Sequence, residues 1–351
     1  MPRFVTMGEC LVDFISVQRG KIRWLSGFKK GEKPSPSGSH TEDRDAPAFI
    51  PAPGGAPANV AVGLALLGKE AGFIGKVGDD PFGRGLAGVL MVAGVDTKAV
   101  SFSTEARTML AFVTRSEAGE RDFVFFRHPS ADMLITGGDI PDGYLSGTSF
   151  FHFGSISLID DPARATALSL VDRARGEGAL VSFDPNVRLS LWPDEATARR
   201  EILSVIPRVD ILKLSEEEAA FLTGEAHPKA AALSLMAMGP GLVAVSRGRK
   251  GSIAVTPRYA VEVDGFAVDV VDTTGAGDAF CAAMLAKIDE AGNSDLSALS
   301  DLDLITIFRF ANAAGAIAVT RPGAIPALPT EGEVTEFLRR ERIRRSPRTF
   351  H

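Results

Sequence analysis

Only two cysteines occur in the 351 residues, Cys10 and Cys281. They share neither CxxC spacing nor a partner cluster, so no zinc site or disulfide framework is expected, and a reducing compartment suits them. No apolar run approaches the roughly 18 residues of a membrane helix. Glu9 and Asp13 interrupt what would be the core of a signal peptide. A cytoplasmic protein with no membrane partner is the expectation. Positive charge is not in excess either. The 38 basic and 44 acidic residues leave a net charge of −6, which argues against nucleic acid as a partner, since nucleic acid is bound by clustered positive charge. The basic stretch from Arg339 to Arg345 is the local exception and reads as the solvated face of a last helix. No internal repeat is evident.

What is present is ordinary globular composition, with 45% apolar and 23% charged residues. That excludes a wholly disordered chain. The length suits two domains or one large domain with insertions. Short apolar runs alternate with helical patterns. Phe4 to Met7 reads as an opening strand, Val60 to Leu67 as a helix ended by Gly68, and Phe73 to Val77 as a strand. Asp80-Pro81 supplies an N-cap and a proline in the first turn for a helix running to about Ala93. Further strands are expected at Ser149 to Phe153, Ala179 to Phe183, Val209 to Leu214 and Leu242 to Val245. Repeated strand–helix–strand units pair in parallel through right-handed crossovers, which makes a three-layer α/β domain. Two stretches break the rhythm. Gly27 to Pro53 is dense in Pro, Gly, Ser and charge and reads as a long loop. Val100 to Arg127 holds two β-type runs, Met109 to Thr114 and Asp122 to Arg127, around turn residues, and reads as a hairpin appendage.

Two familiar spacings do not hold up. Gly63 to Glu70 matches GxxxxGK, but Glu70 stands where a phosphate loop needs a hydroxyl for Mg2+, and Leu-Ala-Leu-Leu is no flexible loop. Gly83 to Gly88 matches GxGxxG, but Asp80-Pro81 has already begun a helix ahead of it. The segment Val270 to Phe280 is different. A short β-like lead enters Thr273-Thr274-Gly275-Ala276-Gly277-Asp278, and an apolar helix follows. Gly275, Ala276 and Gly277 let backbone N–H groups approach an anion at a helix N-terminus. A carboxylate there repels phosphate unless it has a task, such as taking a proton from an attacking hydroxyl. The plainer alternative is that Asp278 caps the helix. Near the N-terminus, Gly54-Gly55-Ala56-Pro57-Ala58-Asn59 opens another helix and offers Asn59 to vicinal hydroxyls.

Together these segments resemble the two signatures of the ribokinase-like, PfkB-type carbohydrate kinases, over Gly8 to about Pro329. Phe123 to Leu134 and Leu189 to Pro193 look like the fructokinase branch. The resemblance implies a three-layer α/β/α ribokinase-like fold with a central, mostly parallel sheet. It implies one domain over residues 1–351, with a small β-rich lid from about 13–53 and 100–130 and an ATP-binding part over about 180–330. The implied activity is transfer of the γ-phosphoryl of ATP to the primary hydroxyl of fructose. Asp278 would be the base and Gly275, Ala276 and Gly277 the anion hole. Asp13, Gly54, Gly55 and Asn59 would contact the sugar. Ser246, Gly248, Gly277 and Asn312 would contact ATP, as would Ser215, which stands where the family carries Asn. Glu218 would order water around Mg2+, and Asp272 and Thr274 match a K+ site. Implied partners are the sugar and ATP, and a homodimer is compatible. A kinase for 2-keto-3-deoxygluconate is the nearest alternative, because Arg107 and Arg188 could meet a carboxylate. A catalytically silent sugar sensor is a third reading. The extra residues at about 27–44 carry no assigned role.

Overall fold

The computed structural model describes residues 1–19, 48–115, 121–292 and 295–345. The chain enters through β1 (Phe4–Met7), β2 (Leu11–Arg19) and β3 (Phe49–Gly54). Next come α1 (Ala56–Leu66), β4 (Ala71–Gly78), α2 (Pro81–Val92), β5 (Asp96–Ser103), β6 (Leu110–Arg115) and β7 (Arg121–Phe126). The middle of the chain runs β8 (Phe150–Gly154), α3 (Ala163–Gly176), β9 (Leu180–Asp184), α4 (Glu195–Val205), β10 (Ile211–Ser215) and α5 (Glu216–Thr223). Then follow α6 (Pro228–Met236), β11 (Leu242–Ser246), β12 (Ser252–Val255), β13 (Ala260–Val263), α7 (Ala276–Glu290), α8 (Asp301–Ala318) and α9 (Glu331–Arg345).

A nine-stranded sheet is ordered β13-β12-β11-β10-β9-β8-β1-β4-β5, parallel except at the two ladders that β12 makes. Alternate side chains divide between two cores. Phe4, Ile211 and Ala244 join α1, α7 and α8 on one face, while Val5, Leu212 and Val243 join α3, α4, α5 and α6 on the other. A parallel sheet buried on both faces is what near-continuous apolar strands produce. The three-layer architecture expected from the alternation is present.

The two discarded spacings are helical. Gly63 sits inside α1, where a Cβ would come 2.8 Å from the Ala282 methyl of α7. Gly68, with φ of 77°, follows that helix. Gly83 lies in the first turn of α2, its N–H donating to the cap carboxylate of Asp80 at 2.9 Å.

A second sheet, ordered β3-β2-β6-β7, stands apart from the first. The expected β6–β7 hairpin is present, with Phe112 opposite Val124. Two expectations need correction. Residues 100–103 belong to β5, whose Val100 pairs with Gly75 at the edge of the large sheet, because the run after α2 completes a β-α-β crossover. Residues 49–53, read as the end of a loop, belong to β3, an edge strand, where Pro51 and Pro53 cost no ladder bond. The expected insertion at about 27–44 lies outside the described residues. Register gives the small sheet two distinct faces. Leu11, Asp13, Phe123 and Phe125 share one, and Phe14, Phe49, Phe112 and Phe126 share the other. Among the described residues, no helix is long and apolar enough to cross a membrane.

Candidate active site

A cavity of about 980 Å³ opens where β9, β10 and β11 end, at Asp184, Lys213, Ser215 and Ser246. Carboxyl ends of parallel strands are the usual ligand position in such sheets. Leu11, Asp13, Phe123 and Phe125 wall it from the small sheet, and Asn59 and Asp278 face it from the starts of α1 and α7.

Helix α7 begins at Gly275, which is left-handed at φ 75° and carries no side-chain cap. A Cβ there would lie 3.0 Å from the Ala324 Cα. At Gly277 a Cβ would meet the Lys213 ammonium, 3.0 Å away. Gly275 thus lets the segment at Ala324 pack against the turn, and Gly277 leaves the space before the Lys213 ammonium clear at the uncapped helix N-terminus, which suits an anion. Asp278 occupies the third helical position. It does not cap α7, since Gly275 holds the cap position and Asp278 Oδ2 instead accepts from Asn59 Nδ2 at 2.7 Å. Burial lifts the Asp278 carboxyl to about 6, against the opposing pull of that hydrogen bond. It is therefore largely ionised near neutral pH and poised to take a proton.

Beside it, Lys213 Nζ donates to Asp184 Oδ2 at 2.6 Å, both buried. Burial alone would lower the lysine, but the Asp184 and Glu218 charges hold it protonated. Neither residue was assigned a role from sequence. The available signal was a single lysine in the otherwise apolar strand Ile211-Leu212-Lys213-Leu214. Glu218 accepts from the Val187 N–H at 2.7 Å and the Ser215 N–H at 2.8 Å. Burial, then the charge of Asp184, raises its pKa. Ser215 Oγ in turn accepts from the Glu218 N–H at 3.1 Å. The serine at the family's asparagine position is thus the N-cap of α5, in a capping box with Glu218.

Where β3 gives way to α1, Gly54 and Gly55 are positions at which an added side chain would force a neighbour to move. A Cβ at Gly54 would collide with the Asp13 carboxylate, and one at Gly55, whose φ is 107°, with the Glu9 carbonyl. Glu9 itself was not anticipated. Its Oε1 accepts from the Ala56 N–H at 3.0 Å, and burial lifts its carboxyl to about 7. Arg188 lines the cavity, its guanidinium 5.7 Å from the Phe123 ring centroid and its Nη1 donating to the Val187 carbonyl at 3.1 Å. Arg107 does not reach the cavity. Its residue is exposed and its backbone is held in a bridge to Ser130. Of the two arginines considered for a substrate carboxylate, the structure brings only Arg188 to the site.

An adjoining cavity of about 360 Å³ shares Ser246, Gly248 and Gly277 with the first and is lined by Phe266, Val268, Phe280 and Ala316. Asn312 is at its wall, donating to the Val263 carbonyl at 3.2 Å. This apolar slot has the character of a purine pocket. Ahead of α7, Asp272 ties two loops together, accepting from Thr274 Oγ1 at 2.7 Å and from the Gly323 N–H at 3.0 Å. Ligand fit can be tested on unpartnered polar atoms. Of the seven buried side-chain polar atoms lacking a partner among the described residues, three belong to cavity-lining residues: Glu9 Oε2, Asn59 Oδ1 and Arg247 Nε. Buried polar atoms are normally satisfied, so a polyhydroxylated, anionic ligand pair suits this lining.

A helix N-terminus that can take an anion, set against a buried carboxylate that can take a proton, serves phosphoryl transfer to a hydroxyl. Residues 3–331 match the model of the pfkB family carbohydrate kinases, and the chain belongs to that family. Fructokinase-1 of Zea mays is 43% identical over 336 residues, covering 95% of this chain and 97% of that one. The fructokinase of Xylella fastidiosa with bound ATP superposes with a TM-score of 0.82 at 32% identity, covering 97% of this chain and all (100%) of that one. A double mutant of the Vibrio cholerae O395 fructokinase, in its fructose, ADP and potassium ion bound form, gives a TM-score of 0.81 at 32% identity, covering 96% and 98%. In a related kinase, ATP is bound together with magnesium. The chain is therefore a phosphotransferase, as its two signatures led one to expect.

Proposed function

We propose that the protein is a fructokinase, converting fructose and ATP to fructose 6-phosphate and ADP. The observation that carries this reading is Asp278, buried at the uncapped start of α7 and facing the cavity. Asp278 accepts the proton of the sugar's primary hydroxyl as that oxygen attacks the γ-phosphorus. The backbone N–H groups of Gly275, Ala276 and Gly277 steady the charge on the transferring group, and Lys213, beside Gly277, adds a fixed positive charge. Asp13, Gly54, Gly55 and Asn59 hold the sugar hydroxyls. ATP extends past Ser246 and Gly248 with its base against Asn312. Glu218 would order water around Mg2+, which neutralises phosphate charge when bound, and Asp272 and Thr274 would support a K+ ion.

The small sheet acts as the lid over the sugar, excluding water that would otherwise accept the phosphoryl group. Its outer face is aromatic, with Phe112 stacked 5.0 Å from Phe14 and Phe126 60% exposed. That favours a homodimer in which a second copy covers it. Two buried, unpaired cysteines favour the cytoplasm. A panel of hexoses, ketoses and keto-acids with ATP and Mg2+, read as ADP release, tests the substrate. Fructose should exceed glucose in kcat/KM by at least about a hundredfold, since polar groups left unpaired by the wrong sugar cost several kcal/mol. Equal turnover of the two, or preference for 2-keto-3-deoxygluconate, would overturn the fructose assignment.

A further inference from the structure

We propose that Asn59 is a positioning residue for the base, holding Asp278 by Oδ2 so that Oδ1 is the atom that receives the substrate proton. This rests on the reading of Asp278 as the base. A residue serving only as a sugar ligand would keep both ends of its amide for hydroxyls. Here the amide nitrogen is committed to the carboxylate at 2.7 Å, across 219 positions of sequence, with both side chains buried. Its oxygen has no partner and remains for a sugar hydroxyl. One amide then touches the substrate with its oxygen and the base with its nitrogen.

The reach is set one helical turn further along. Asn59 and Gly63 are four residues apart on α1, as are Asp278 and Ala282 on α7, so each pair shares a helix face. Gly63 has no Cβ, and one would lie 2.8 Å from the Ala282 methyl. The helices thus approach closely enough for the amide to meet the carboxylate. Gly63 belongs to the GxxxxGK run that binds no phosphate, and this packing gives it a reason. The other groups acting on Asp278 are Asp184 from β9, which raises its pKa, and Lys213 from β10 and Arg188, which lower it. Cys281 on its own helix is held neutral by burial.

The test is a carboxyl titration by 13C NMR in the whole enzyme with labelled aspartate, Asp278 being assigned by the signal lost in Asp278→Asn. Losing a hydrogen bond to the charged form should raise the Asp278 midpoint by about one unit or more in Asn59→Leu. The shift should be larger in Asn59→Asp, which is the same size and places a second carboxylate there. Gly63→Ala should raise it by less without altering either partner. At saturating fructose, the acid limb of kcat should move up with the midpoint. An unmoved midpoint in Asn59→Asp, or in a folded Asn59→Leu, overturns the proposal even if KM for fructose rises. Near-wild-type kcat in Asp278→Asn would instead remove the base assignment and leave the titration result standing.

Discussion

Asp278→Asn separates chemistry from stability because the two should move in opposite directions. The primary hydroxyl is far too weak an acid to ionise unaided, so removing the base should lower kcat by about 10²–10⁴. ATP binding should hold or tighten slightly, since a negative charge beside the phosphates is gone. Stability should rise. Burial lifts the folded carboxyl from 3.8 to about 6. Each unit is worth about 1.4 kcal/mol, so the ionised side chain opposes folding by about 3 kcal/mol. The sign follows from proton binding. Between about pH 4 and 6 the unfolded chain has released a proton that the folded chain retains, so stability falls as pH rises and then levels off. Asparagine carries no such penalty, and its carbonyl can still accept from Asn59. The variant should therefore melt a few degrees above wild type at pH 8 and nearly level with it at pH 4. Calorimetric ATP binding, steady-state turnover and melting at the two pH values together make the assay. Near-wild-type kcat would refute the base. A variant less stable than wild type at pH 8 would refute the claim that burial, rather than structural bonding, sets this carboxylate's state.

Glu9→Gln should behave alike in stability but at higher pH. Its carboxyl is raised from 4.5 to about 7, so the gain in melting temperature over wild type should grow between those values and be full at pH 8. A gain that does not vary with pH would count against it. Lys213→Met leaves Asp184 buried without its partner, and breaking such a pair costs about 3–5 kcal/mol. Adding Asp184→Asn to that variant should recover much of the melting temperature while kcat stays low; recovery of both would make the pair purely structural.

Much of this site was legible in the chain because short-range chemistry encodes it. The glycine turn at Gly275 to Gly277, the aspartate after it and the paired glycines before Asn59 are local patterns whose backbone requirements survive in any fold of this type. The strand–helix alternation announced the three layers in the same way. What the chain concealed depends on distant pairing. Lys213 looks like a defect in an apolar strand until Asp184, 29 residues earlier at the end of β9, is placed beside it. Arg107 looked as suitable as Arg188 because nothing local reveals that it is exposed, its backbone bridged to Ser130. The prolines at 51 and 53 concealed β3, since only its edge position makes them harmless. Glu9 gave no sign that it would be buried against the start of α1.

Gly54 and Asp13 also bear on how this enzyme could acquire another substrate. The carboxylate occupies the space that any side chain at 54 would need, so position 54 can take one only if position 13 gives way. An alanine at 54 would displace the acid before it altered the pocket, so a library that varies 54 alone perturbs Asp13 first. Variation at Leu11, Ile156 or Phe125, which line the same cavity, leaves that interlock untouched. Redesign of the sugar preference has its open route there.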